Sequence, residues 1–199
     1  KIANYQMQAI THTPGIKLTD AHDLDSNKAD ELPGSVNFHE NLEKMLLKSN
    51  ADAFLISTPT STHFEVAMQV IESDRIAIVE KPLCTSPSEM DALLTAARTR
   101  KLPLYTAFHP AYGREVDWWR EQREARNFDL GALLGFDTCF ADPYYIDGKL
   151  TLGAVGKAGA WTDSGASGLS ALSRLIDPTN IRLVDGRMTI IPSLSCAQV

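Results

Sequence analysis

Cysteine is scarce in this chain: Cys84, Cys139 and Cys196 are the only three in 199 residues. The number is odd and no CxxC spacing occurs, so neither a disulfide framework nor a zinc site is supported. The expectation is reduced, mostly buried thiols. No stretch approaches the ~20 consecutive apolar residues of a membrane span, and Lys1-Ile2-Ala3-Asn4 lacks the apolar core of a signal peptide. A cytoplasmic protein with no membrane partner is expected. Long basic runs are missing too: the formal charge is −6, and Lys and Arg stand singly or in small groups, which argues against a nucleic-acid partner. Finally, no glycine precedes Gly15, so the G-x-G-x-x-G dinucleotide fingerprint is absent.

What is present is a strand and helix alternation. With 44% hydrophobic residues the chain can bury a substantial core. Residues 4–12 read as a short helix ending at Thr13-Pro14-Gly15. Ile16, Leu18 and Ala21 suit a strand with Asp23 at its far end, before a short helix capped by Ser26. Leu42, Met45, Leu46 and Leu47 cluster at helical spacing. Ala53-Phe54-Leu55-Ile56-Ser57 and Ile76-Ala77-Ile78-Val79 are continuous apolar runs, as in strands covered on both faces. Between them, residues 62–73 carry Phe64, Ala67, Met68 and Ile71 at helical spacing. Ser86 and Pro87 open a further helix, with Met90, Leu93, Leu94 and Ala97 on its inner face, and Leu104-Tyr105-Thr106 is a third short strand.

The pattern over residues 16–106 predicts a parallel doubly wound α/β sheet of Rossmann type, with ligands at the carboxyl ends of its strands. Asp23, Thr58 and Lys81 all fall at such ends. After residue 108 the texture changes. A charged helix over 114–126, a strand over 133–140, a Gly-rich connection over 148–159, a helix over 165–175 and a hairpin within 181–191 predict an α+β domain with an open, mainly antiparallel sheet. The domains are expected at 1–108 and 109–199. Both ends look cut, the first strand with its Gly-rich loop being the part expected to be missing.

Glu80-Lys81-Pro82-Leu83 is the most informative segment. A lysine placed where apolar sheet gives way to a cleft is partly desolvated and suited to proton transfer. Taken alone, a charged pair followed by proline also ends a strand without further purpose.

Ile56-Ser57-Thr58-Pro59, His63, Ala67 and Ile78-Val79-Glu80-Lys81-Pro82 together resemble the signature of the glucose-fructose oxidoreductase and inositol dehydrogenase (Gfo/Idh/MocA) family. The likeness is strongest over residues 16–112 and nearest to the aldose 1-dehydrogenase branch. It implies that Thr58, Pro59 and His63 line a nicotinamide cofactor cleft, that Glu80 shapes it, and that Lys81 touches both cofactor and substrate hydroxyl. On spacing alone His63 reads equally as a first-turn helix residue. Asp23 would accept hydrogen bonds from the adenosine ribose and repel a 2′-phosphate, which favours NAD over NADP; otherwise it is a helix-capping aspartate.

Farther on, Trp161-Thr162-Asp163-Ser164-Gly165-Ala166-Ser167 resembles the family's Asp-x-Gly-x-His, with Asp163 facing substrate but Ser167 where the histidine or asparagine usually stands. His109, in Phe108-His109-Pro110, would contact the sugar, or is a plain loop residue. Asp142 would bind a sugar hydroxyl, or is a solvated strand end. The resemblance thus implies an NAD-dependent dehydrogenase acting on CH–OH groups of a sugar or polyol, with Lys81 and Asp163 catalytic and His109, Ser167 and Asp142 at the substrate. The alternative is a sensor or regulator of the same fold that binds NAD and sugar without turnover. A homo-oligomer, dimer or tetramer, is implied by the open sheet of the second domain.

Overall fold

The computed structural model describes residues 2–125, 135, 137, 139, 145–146, 149–150, 161–177, 179, 182, 189–191 and 194–196; for 145–150, 161, 163 and 189–196 it describes the backbone only. The chain forms two compact units, Lys1–Tyr105 and Thr106–Val199.

In the first unit, helix α1 (Ile2–His12) leads through a turn at Gly15, whose φ of 83° suits a residue without Cβ, to strand β1 (Asp20–His22). β1 begins later than the apolar residues suggest, because Ile16 is exposed and outside it. A 3-10 turn, Ser26–Glu31, follows, and its cap is Asp25 rather than Ser26: the Asp25 carboxylate accepts from Asn27 N. β2 (Asn37–His39) pairs with β1 in parallel, Asp20 opposite Asn37 and His22 opposite His39. Then come α2 (Leu42–Lys48), β3 (Ala53–Ile56), α3 (His63–Glu72), β4 (Ile76–Glu80), α4 (Pro87–Arg100) and β5 (Leu104–Ala107). The sheet order is β3-β4-β5, with β3 and β4 parallel and Phe54 opposite Ala77.

Helical spacing explains the packing. Ala67, Val70 and Ile71 of α3 and Leu93 and Ala97 of α4 are buried against Phe54, Ile56, Ala77 and Val79 of the sheet. Each large side chain so enclosed contributes about 1.5–3 kcal/mol. α4 is well begun: Ser86 and Glu89 form a reciprocal capping box and Pro87 takes the first helical position. Two expectations are corrected here. Leu47 is 86% exposed and Met90 is also exposed, since Met45 with Leu46 and Leu93 with Ala97 already occupy the inward stripes. β3 is buried on alternate residues only, with Leu55 37% exposed, so its apolar run is not covered on both faces.

At the amino edge of the sheet the helix ends use non-glycine residues in the left-handed region. Asp74 follows α3 and Lys101 closes α4, each at φ 57°, and Arg100 reaches Asp74 at 2.7 Å. Cys84 is buried, which pushes its thiol pKa up, while Cys139 is exposed against expectation.

The second unit holds α5 (Arg114–Glu124), β6 (Tyr145–Ile146) paired antiparallel with β7 (Lys149–Leu150), a π-helical turn (Trp161–Gly165) running into α6 (Ala166–Ser173), and the antiparallel pair β8 (Thr189–Ile191) and β9 (Leu194–Cys196). The hairpin thus pairs 189–191 with the segment after it; most of 181–188, where its first strand was expected, lies outside the described residues, as does most of 133–140. A 3-10 turn, His109–Tyr112, packs against α6, and Arg174 stacks over the Tyr112 ring at 5.1 Å. No helix among the described residues is long and apolar enough to cross a membrane.

Asp20 organises the β1–β2 pair. Its Oδ1 accepts from His39 Nε2 at 2.9 Å and Asn37 Nδ2 at 3.3 Å, and its Oδ2 accepts from Ser49 Oγ at 2.9 Å. Burial works against the carboxylate, yet hydrogen bonds from His39, Thr19, Ser49 and Asn37 outweigh it and hold the pKa below 3.8. A depressed carboxylate stabilises the fold at pH values above 3.8, and that share is lost as pH falls through the lowered folded value. Asp20→Asn is expected to cost about 2 kcal/mol at neutral pH. It should also flatten the acid limb of the stability curve, which urea unfolding at stepped pH measures. Parallel acid limbs in the two proteins would contradict this account.

Candidate active site at the carboxyl ends of β3 and β4

The sheet delivers its polar residues where the apolar runs stop. β3 ends at Ile56 and passes through Ser57, Thr58 and Pro59 into a 3-10 turn, Thr60–Thr62, and then α3. β4 ends on Glu80, followed by Lys81 and a cis peptide bond to Pro82. Because β3 and β4 are parallel neighbours, both turns open on the same edge.

Glu80 is only 7% exposed, and a carboxylate in such a place needs donors. Gln6 of α1 supplies one: its side-chain N–H donates to Glu80 Oε1, while its own carbonyl accepts from the Ser57 hydroxyl. Lys81 N donates to Glu80 Oε2 at 3.2 Å. Gln6 therefore ties α1 to the ends of both strands. Sequence reasoning missed it, although a signal exists. Ala3, Gln6, Met7 and Ile10 are the half-buried stripe of α1, and Gln6 is the polar member.

His63, the first residue of α3, is 1% exposed. Its Nδ1 lies 2.7 Å from the carbonyl of Pro82 and its Nε2 lies 2.9 Å from the carbonyl of Thr58. The imidazole is therefore enclosed, and it touches both turns through their backbones. Thr58 is half-buried and Pro59 exposed, and the Thr62 hydroxyl sits 2.8 Å from Pro59 O and 2.9 Å from Thr58 Oγ1. Lys81 is half-buried.

Asp23 stands directly after β1 and is exposed. One oxygen accepts from Asp25 N at 2.9 Å, and a carboxylate has capacity beyond that single bond. Asp23 caps no helix; Asp25 does. Thr58, Pro59, His63, Glu80 and Lys81 thus meet at one edge, with Asp23 at the end of a strand in the same unit. His109 and Ser167 belong to the second unit. There His109 is exposed and opens the 3-10 turn that packs on α6, and Ser167, 3% exposed, sits in the first turn of that helix. Asp163 lies in the π-helical turn with its side chain outside what is described, and Asp142 lies outside the described residues. Among the described residues no group of three or more His, Cys, Asp or Glu is placed to hold a metal ion.

The model of the Gfo/Idh/MocA family, an oxidoreductase family with an NAD-binding Rossmann fold, matches residues 1–108. The chain belongs to this family. Among curated proteins, UDP-N-acetylglucosamine 3-dehydrogenase of Acidithiobacillus ferrooxidans is 41% identical over 58 residues, 29% of this chain and 18% of that protein. Among solved structures, GenD2 from gentamicin A biosynthesis in complex with NAD is similar over 98% of this chain and 56% of its own, at TM-score 0.75 and 22% identity. The WlbA dehydrogenase from Bordetella pertussis, in complex with NADH and UDP-GlcNAcA, is similar over 63% of this chain and 40% of its own, at TM-score 0.56 and 22% identity. The structural likenesses show the fold. The chain spans little more than half the length of GenD2 and a smaller share of the other two.

As a Gfo/Idh/MocA chain it has a donor set that fits a dinucleotide. An exposed carboxylate at the end of β1 suits ribose hydroxyls, and the Thr58-Pro59 and Lys81-Pro82 turns give polar groups at the edge where such folds hold ligands. The Gln6 bridge makes a direct prediction. Gln6→Ala should lower stability by about 1–2 kcal/mol by removing one of the donors to the buried Glu80. Gln6→Glu should cost more, because it sets a second carboxylate against the first. Thermal melting of the three proteins checks the order, and a glutamate variant as stable as wild type would refute the bridge.

Proposed function

We propose that this chain serves an NAD-dependent dehydrogenase that oxidises a hydroxyl-bearing carbon of a sugar, polyol or related small molecule. The observation that carries the reading is Lys81 at the carboxyl end of β4, in a turn braced by Glu80 below and by His63 beside it, next to the Thr58-Pro59 turn. NAD, when bound, supplies the acceptor for the hydride that leaves the substrate carbon. Lys81, as the neutral amine, takes the hydroxyl proton on the lone pair of Nζ; the O–H electron pair becomes the second C–O bond as the hydride leaves with the C–H pair, so no free alkoxide forms. Thr58 and Pro59 border the cofactor side, and Asp23 receives the adenosine ribose, favouring NAD over NADP. Asp163 holds neighbouring hydroxyls so that the reacting carbon stays aligned, with His109, Ser167 and Asp142 as further substrate contacts.

Family membership supports the chemistry, and the names of the relatives point to sugars and nucleotide sugars as the substrate class. A cytoplasmic homo-oligomer, assembled through the sheet of the second unit, goes with this reading. The buried Ser167, where an imidazole base would stand in the family pattern, favours one rival: a sensor that holds NAD and sugar without turnover.

A panel of aldoses, polyols and nucleotide sugars with NAD, followed at the NADH absorbance band, separates the two. Turnover of at least one substrate is expected. Lys81→Met should then cut kcat by about 100-fold or more while NADH affinity, read by fluorescence, changes less than about threefold. Equal losses in both quantities would remove Lys81 from its assigned role.

A further inference from the structure

We propose that His63 is a positioning residue that fixes the spacing of the two cleft turns by donating to a backbone carbonyl in each. The proposal deepens the dehydrogenase reading and rests on Lys81 as the proton acceptor. The geometry is unusual in one respect: both ring nitrogens face carbonyl oxygens, Nδ1 that of Pro82 at 2.7 Å and Nε2 that of Thr58 at 2.9 Å. Carbonyls only accept, so making both bonds takes an N–H on each nitrogen; a neutral ring serves one carbonyl at a time.

The two donors belong to one rigid ring with no torsion between them, so the two carbonyls are held at a separation that the ring sets. The ring is itself closely packed. It is 1% exposed, and it stands at the start of α3, whose Ala67, Val70 and Ile71 are fully enclosed by the sheet and α4. The two turns are thereby referenced to a helix that cannot shift without opening the core. Pro82 follows Lys81 directly, and Thr58 begins the neighbouring turn. One bond thus governs the loop that carries the lysine, and the other governs the loop beside it.

The two functions can be separated by substitution. In His63→Asn the amide nitrogen takes the place of Nδ1 and keeps the bond to Pro82; in His63→Gln it takes the place of Nε2 and keeps the bond to Thr58. Deuterium exchange of the chain without added ligand should show His63→Gln exchanging about fivefold faster over residues 81–85, with 57–62 near wild type, and His63→Asn the reverse. Competitive acetylation by acetic anhydride should find Lys81 altered in rate about threefold or more in His63→Gln and unaltered in His63→Asn. Equal effects of both variants on both segments, or an unchanged Lys81 in both, would overturn the proposal.

Should either variant lose its near-ultraviolet circular dichroism, nitrogen-15 spectra of wild-type His63 decide. Slowly exchanging protons on both ring nitrogens support the two ties, and a nitrogen lacking one overturns them. None of these readouts needs NAD or substrate. Failure of the Lys81 reading shows separately, in the turnover of Lys81→Met.

Discussion

A carboxylate and an imidazole are buried at the end of an apolar sheet, and the turns there take their form from the need to satisfy both. Glu80 and His63 are enclosed almost completely, and a buried polar group without a partner costs several kcal/mol. Glu80 therefore recruits Gln6 and the Lys81 amide, and His63 recruits the carbonyls of Thr58 and Pro82. Apart from the bond between the neighbours Lys81 and Glu80, these bonds reach from one element or turn to another. The result is that α1, the end of β3, the start of α3 and the end of β4 are joined around the turn that carries Lys81.

The β1–β2 pair, a two-stranded sheet separate from β3-β4-β5, works on different physics. There Asp20 gathers His39, Asn37 and Ser49, and the carbonyl of Ser49 in turn accepts from Arg75 just ahead of β4. This set of charge-assisted bonds holds β1, β2, the end of α2 and the start of β4 together. The buried core is drawn from α2, β3, α3, β4 and α4.

Much of this was legible in the sequence because it follows periodicity. The runs around Phe54 and Ile78, the spacing of Ala67 and Ile71, and the Ser86-Pro87 start each announce their element. The Thr58-Pro59, His63 and Glu80-Lys81-Pro82 pattern gave the family that residues 1–108 match. What was not legible depends on who sits across from whom. β2 has three residues with Phe38 as its apolar member, too short for any period to show. Gln6 gains its meaning from Ser57 and Glu80, each more than fifty residues away. His63 was expected to line a cofactor cleft, and only the folded chain shows its ring enclosed against two backbone carbonyls. Leu55 looked like core because its neighbours are, but alternation along β3 turns it to the less covered face.

The turns at the amino edge carry a different implication. Lys101 and Asp74 hold left-handed backbone that costs an ordinary residue about 1 kcal/mol or more relative to glycine. Asp74 has the Arg100 ion pair to offset it, and among the described residues Lys101 shows no comparable contact. The fold has thus left an unused reserve of robustness at a place remote from its chemistry. A lineage under pressure from heat can draw on it by placing glycine at Lys101, without touching the turns that carry Thr58 and Lys81.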